Sequence, residues 1–312
     1  MPTPSSLHTD SRLSNLSVQY KNEDMIWRNI LPVIRVGKRS DIFTVYDKAD
    51  SYRKTNDDLG PKSNANEADW GTSTDNYSVK DHGLADWVAQ ETIDNADRPI
   101  GPLVDTNDFL NNNLDINQEK RVSDLVFNTA TYPAGNKVTL SGTGQWGGTA
   151  DDPIGDIQTA IETCFMRANT LILGVETWLV LRKLPEILDA VKSSTRFQGS
   201  PGGLATPAEV SGLFEVPNIL IGRGRYITSK IGQSDVFSRL WGKHMSALHV
   251  KSLPGIKTIT FGGTFVESER QTLRDFDVKK GVKGAHYVKV AWNSDEKIIA
   301  SDLGYMIENA VA

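Results

Sequence analysis

Glycine and arginine alternate at Gly222-Arg223-Gly224-Arg225, the most suggestive local chemistry in the chain, since backbone N–H groups and two guanidiniums together can cradle an anion. The lysine and helix N-terminus of a true phosphate loop are missing. The residues therefore support a tight turn, with Arg223 and Arg225 facing solvent or an adjacent subunit. The other candidates disperse. His8, His82, His244, His249 and His286 show neither H-E-x-x-H nor Cys/His ligand spacing, so no metal site is expected. There is no G-x-S-x-G elbow, no Walker sequence, and no G-x-G-x-x-G after a strand. Asp57/Asp58 and Asp151/Asp152 are carboxylate pairs in loop-like sequence, where solvation is the ordinary reading. Cys164, the single cysteine, falls on an apolar helical stripe and reads as a small buried hydrophobe. No catalytic residue, cofactor or metal ligand is assigned, and weight shifts from an enzyme toward a structural role.

The elements that would position any site centre on Asp152 to Lys192. Asp152 and Pro153 read as N-cap and first helical residue, followed by Ile154, Ile157, Ile161, Cys164 and Phe165 at helical spacing. That pattern predicts a helix ending near Ala168 or Asn169. Leu171, Ile172 and Leu173, closed by Gly174, predict a strand covered on both faces. A further helix places Val175, Trp178, Leu179 and Arg182 on one face, and Pro185 restarts it with Ile187, Leu188 and Val191. Upstream, Leu103 to Thr129 predicts a long helix with Leu103, Leu110, Leu114, Val122, Leu125 and Val126 on one side, while Asn117 to Arg121 is polar all round. Downstream, Thr206, Pro207 and Glu209 form a capping box. Strands are expected at Val138 to Leu140, at Ile219 to Ile221 and in a half-buried run around Ile259, Phe261 and Phe265. Val288, Val290 and Trp292 give another, and Ile298 to Ile307 closes the chain as a buried segment.

The N-terminal third is different. Residues 1–10 are Pro, Ser and Thr with little to bury; Leu13, Leu16, Tyr20, Met25, Ile26 and Ile30 suggest short helical pieces, and Val33 to Val36 a strand. Ile42 to Tyr46 and Thr72 to Val79 predict two strands that pair as a long hairpin projecting from the body. The stretch between them, Asp47 to Asp69, mixes both signs of charge and offers almost nothing to a core. Lys48, Arg53, Lys54, Asp57, Asp58, Lys62 and Trp70 on this arm, with Arg223 and Arg225, are the candidate contacts to another subunit, because exposed edges and backbone groups are best satisfied there. Leu84, Trp87, Val88 and Ile93 are expected in a loop and short helix.

With 312 residues, 38% of them hydrophobic, the chain can bury one large core or two smaller ones, and one cysteine rules out an internal disulfide. A net charge of −5 argues against a dedicated nucleic-acid binder. No apolar run approaches the roughly 18 residues of a membrane span, and no signal-type apolar region opens the chain, so no membrane partner is expected.

The order of parts, and phrases such as Val36-Gly37-Lys38, Arg121 through Tyr132, Asn136 to Gly142, Asp152 to Ile157, Trp241-Gly242-Lys243-His244 and Ser301 to Ala312, resemble tailed-phage major capsid proteins of the Hong Kong 97 type. The resemblance implies an α+β capsid fold: an N-terminal arm over 1–36, an extended hairpin loop over 37–81, and a peripheral domain with a spine helix over 82–145. An α/β axial domain over 146–254 follows, and residues 255–312 return strands to the peripheral domain and a closing segment to the axial one. It implies self-assembly into pentamers and hexamers, an icosahedral virion shell around non-specifically held double-stranded DNA, and assembly in the host bacterial cytoplasm. Scaffold and portal proteins are the implied partners, with room for a decoration protein. Some members of the family crosslink a Lys to an Asn; Lys48, Lys54 and Lys62 lie in the corresponding loop, with no acceptor identified. An encapsulin-like compartment shell and a cytosolic α/β enzyme with a long lid loop are the alternatives.

Overall fold

The structure is a computed structural model that describes residues 25–62, 64–96, 100–194, 203–255 and 258–312. The arm pieces expected at Leu13, Leu16 and Tyr20, and residues 195–202 of the polar loop after Lys192, lie outside the described residues. In chain order the first elements are helix α1 (Trp27–Ile30), strand β1 (Val33–Arg35), β2 (Ser40–Tyr46), α2 (Lys48–Ser51), β3 (Thr72–Ser78), β4 (Lys80–Ala89), α3 (Gln90–Asp94) and α4 (Pro102–Val126). Next come β5 (Lys137–Thr139), α5 (Pro153–Thr163), β6 (Thr170–Gly174), α6 (Val175–Leu181), α7 (Pro185–Ser194), α8 (Pro207–Phe214), β7 (Asn218–Gly222), β8 (Arg225–Ile227) and β9 (Phe237–Arg239). β10 (Met245–Leu248), β11 (Gly262–Val266), β12 (Gln271–Asp277), β13 (Ala285–Ile298) and β14 (Gly304–Glu308) complete it.

One sheet runs β5-β14-β10-β6-β7. Its strand β6 is buried at every residue, and the pleat divides the burial between two cores. Leu171 and Leu173 join Ile157, Ile161, Trp178 and Val210 under α5 to α8. Ile172 points the other way, into a cluster with Val122 and Val126 of α4, Trp27 and Trp241. A strand in the middle of three layers reads as an unbroken apolar run for this reason. Asp152 caps α5 as expected, accepting the Gly155 N–H at 2.9 Å, and the Thr206/Glu209 capping box opens α8.

α5, however, stops at Thr163 rather than near Ala168. Cys164 remains buried, but Phe165 turns out to the surface. The Phe165 N–H bonds the Asp302 carbonyl at 2.9 Å, an attachment made by a segment more than a hundred residues away. On α6 the buried face is Val175, Trp178 and Leu181, while Leu179 is exposed.

The second sheet orders β1-β11-β13-β12, with β4 on β13. β4 corrects the loop expected around Leu84, Trp87 and Val88. Its ten residues pair with β13 from Lys80↔Ser294 to Ala89↔Ala285, which places Leu84 and Val88 on the face covered by Leu110 and Leu114 of α4. Asp81, Gly83 and Asp86 disguise the strand locally, and the partner strand supplies the order. Ile93 does lie on a short helix, α3. The run near Phe261 also differs from expectation, because β11 is buried at all five residues while Ile259 is exposed. β11 lies between β1 and β13, and its threonine Thr264 satisfies its hydroxyl on the Leu31 carbonyl at 3.1 Å. Threonine therefore did not mark a solvent face here.

Close packing at the end of β6 leaves no room for a side chain. A Cβ on Gly174 would stand 1.8 Å from the Gly242 carbonyl oxygen. Gly174→Ala is expected to lower the unfolding free energy by roughly 3 kcal/mol, an overpacking cost read as a lower urea midpoint with an unchanged slope.

Candidate functional site

β2 and β3 pair in antiparallel register from Ser40↔Ser78 to Tyr46↔Thr72, so the expected hairpin forms. Its root is apolar: Phe43 and Tyr77 stack on Phe265 at centroid distances of 5.8 and 4.8 Å. Its far end is closed by Tyr46 stacked on Trp70 at 5.5 Å. Asp47 caps α2 through the Ala49 N–H at 2.7 Å, and Asp50 accepts from the Gly71 N–H at 2.9 Å and from Arg53 at 3.0 Å. Residues 47–71 are thereby shut at their base. Beyond it, Asn66 Nδ2 donates to the Asn56 carbonyl at 2.8 Å, leaving residues 57–65 as the tip.

The hairpin does not project free of the body as expected. Lys48 Nζ meets Asp302 at 2.5 Å and sits 4.2 Å above the Phe165 ring, whose edge faces Tyr52 at 5.0 Å. The early end of α5 is what presents Phe165 to this contact. Even so, the described residues from Ser51 to Thr74 are all exposed, with Trp70 at 64% and Leu59 at 60%. Such a segment gains little order from its own chain.

The structure thus gathers Lys48, Arg53, Lys54, Asp57, Asp58, Lys62 and Trp70 on one loop but sorts them. Lys48 and Arg53 are engaged at the base. Lys54, Asp57, Asp58 and Lys62 form no ion pair among the described residues. Lys62 holds a φ of 109°, the left-handed region, at the tip's turn. Arg223 and Arg225 belong elsewhere, on the turn between β7 and β8. Arg225 pairs across to Arg239, and the Arg223 carbonyl accepts from the Arg239 guanidinium at 3.0 Å. The glycines beside them serve packing: a Cβ on Gly222 would lie 2.1 Å from the Trp241 indole, and one on Gly224 2.7 Å from Leu240.

The polar anchor of the body that carries the loop was not legible in sequence. Gln118 and Glu119, in the stretch expected to be polar all round, are fully buried. Glu119 accepts the Ile26 N–H at 3.1 Å, the Trp27 N–H at 2.9 Å and the Trp241 indole N–H at 2.6 Å. Burial raises its pKa above the ordinary carboxylate value, against the lowering effect of those donors. Glu296 shows the opposite balance. Burial pushes it up, but Ser294 at 2.6 Å, Arg121 at 3.1 Å and Gln118 at 2.7 Å prevail and hold it below its ordinary value. The Cys164 thiol is pushed up to about 12 by burial, which makes it inert.

No family model matches the sequence. The chain is 34% identical over 306 residues to the major capsid protein of Pseudomonas phage JBD67, covering 97% of both chains. Its fold is similar to that of a phage-related protein from Bordetella bronchiseptica, with a TM-score of 0.69 and 23% identity over 93% of this chain and 94% of that one. It is similar as well to a chain of the capsid of cyanophage P-SCSP1u, at a TM-score of 0.61 and 10% identity over 94% and 90%. The α+β architecture is that of the Hong Kong 97-type capsid fold.

The Glu296 network has a definite pH signature. A carboxylate depressed in the folded state stabilises above its unfolded pKa, near 4.5, and loses that stabilisation as pH falls through the folded value. Thermal midpoints of the wild type are expected to drop below pH 4.5, and those of Glu296→Gln to drop less steeply over the same interval.

Proposed function

This chain belongs to the phage major capsid proteins, and from that premise we propose that its copies assemble as pentamers and hexamers into the icosahedral head of a tailed phage, around double-stranded DNA. The observation that carries this reading is the pairing of a closed body with an open loop. Residues 51–74 carry charge of both signs and two large aromatic rings, and none of the described residues among them is buried, a composition that orders itself by lying across another molecule. A shell requires such contacts to be individually modest, so that misplaced subunits can leave, while several neighbours together make the particle durable.

In this reading residues 1–36 are an arm and 37–81 the loop that reaches a neighbour. α4 with β4, β12 and β13 forms the peripheral part, and the sheet β5-β14-β10-β6-β7 with α5 to α8 forms the axial part around the five- and six-fold axes. Lys48, Arg53, Lys54, Asp57, Asp58, Lys62, Trp70, Arg223 and Arg225 are the proposed inter-subunit residues. Assembly takes place in the host bacterial cytoplasm with a scaffold protein to set curvature and a portal at one vertex, and the outer surface leaves room for a decoration protein. DNA contacts are non-specific, in keeping with the net charge of −5. Likeness to a phage capsid protein across nearly the whole of both chains favours this over an encapsulin-like compartment, and over a cytosolic enzyme with a lid. Among the described residues no helix is long and apolar enough to cross a membrane.

Replacing residues 53–69 with a short Gly-Ser link tests the reading, since it keeps Asp50 and Gly71 at the loop base. The variant is expected to stay soluble with a thermal midpoint within about 4 °C of the wild type, a change of less than ~1 kcal/mol for a chain of this size. It should form no shells by sedimentation and negative-stain microscopy, whereas the wild type does. Shells at wild-type yield would overturn the assignment of the loop.

A further inference from the structure

A cleft of about 470 Å³ opens beside α1, β1 and the start of β12. Trp27 and Trp292, both buried and tilted together at 5.8 Å, form its base, and Arg28, Arg35, Glu269 and Arg270 stand around it. Three guanidiniums thus stand against two carboxylates, Glu269 in the lining and Asp115 behind it, an excess of one positive charge. Arg35 pairs with Glu269, and Arg270 with Asp115 of α4 at 2.9 Å. Arg28 makes no ion pair among the described residues and lies 5.1 Å over the Trp27 ring. Beneath them, Arg270 Nε and Trp292 Nε1 are buried donors with no acceptor among the described residues. Two orphaned donors in the wall of one cationic cleft are unusual enough to call for a physical reason.

We propose that this cleft receives the acidic loop tip, Asp57-Asp58-Leu59, of a second copy of the chain. The inference rests on the assembly reading above and names the surface that the loop meets. The tip is the part beyond the Asn56–Asn66 tie, and its two carboxylates are exposed and without a cation among the described residues. The copy's own loop is held instead against its Asp302 and Phe165. Carboxylates take guanidiniums through paired N–H···O bonds, and Arg28 has no such partner among the described residues. Leu59 offers apolar surface to the tryptophans that line the cleft.

Charge reversal tests this in both directions. Arg28→Glu, and separately Asp57→Arg with Asp58→Arg, are each expected to cut particle yield about tenfold or more at 0.15 M salt, as like charges brought face to face would. Combined in one chain, they should recover yield to within roughly threefold of wild type, which is the behaviour of a charge pair rather than of two independent losses. Arg28 is exposed, so circular dichroism should show each variant folded. A second readout does not depend on yield: particles assembled from an equal mixture of Arg28→Cys and Asp58→Cys chains should give a covalent dimer with a short bismaleimide, since Cys164 is buried and does not compete. Reversals without effect, losses that add without recovery, or particles that give no dimer would overturn the cleft and leave the assembly reading standing. A wild-type chain that formed no particle would overturn both.

Discussion

One carboxylate holds the body of this protein together. Glu119 lies two turns before the end of the long helix α4 and receives hydrogen bonds from the start of α1 and from Trp241, segments that are 92 and 122 residues away in sequence. A charge taken out of water is costly unless its lone pairs are filled, and three N–H donors converge on this one. The backbone groups it satisfies are among those a helix N-terminus leaves unpaired, so the same contact completes α1, whose four residues supply no side-chain cap of their own. Remove it and two backbone amides and an indole would be stranded in the core.

From that point the order spreads outward. Ser123, one turn along α4, donates to the Leu240 carbonyl at 2.5 Å, and Tyr132 bridges the Val126 carbonyl and Ser246 of β10 at 2.8 and 2.9 Å. On the other side of the helix, Gln118 and Arg121 grip Glu296 of β13. α4 therefore ties both sheets by polar contacts as much as by its apolar residues. The strut is stiff because its partners are buried and directional. A shell subunit needs that stiffness, since each contact at its rim must be held at a fixed angle to the next.

The loop from Lys48 to Gly71 works on the opposite principle. Its base is fastened by Asp47, Asp50 and the Lys48–Asp302 pair, yet among the described residues nothing beyond the base is buried. Exposed ion pairs contribute little and weaken with salt. Contacts of this kind hold a loop in place without committing it, which suits the inter-subunit role proposed for it. The rigid body and the adjustable loop meet at Phe43, Tyr77 and Phe265, where three stacked rings carry the hairpin on the sheet.

Local pattern was enough for the helix that begins at Asp152, the doubly covered strand at Leu171 to Leu173, the capping box at Thr206, the long helix and the two strands of the hairpin, because each of these elements is decided by periodicity and by residues a few positions apart. The exposure of the described residues between Ser51 and Asp69 was legible in the same way, since the stretch from Asp47 to Asp69 has almost no apolar residue to bury. Where the chain depends on distant partners, the sequence was silent or misleading. Asp81 to Val88 has the composition of a loop and becomes a strand because β13 lies alongside it. α5 ends at Thr163, and the Asp302 carbonyl holds the Phe165 backbone amide just beyond it. Glu119 looks like one more surface acid, and only the arrival of Ile26, Trp27 and Trp241 makes it the centre of the core. Spacing along a chain records which face a residue turns to its own element, whereas the identity of what covers that face exists only after the chain has folded.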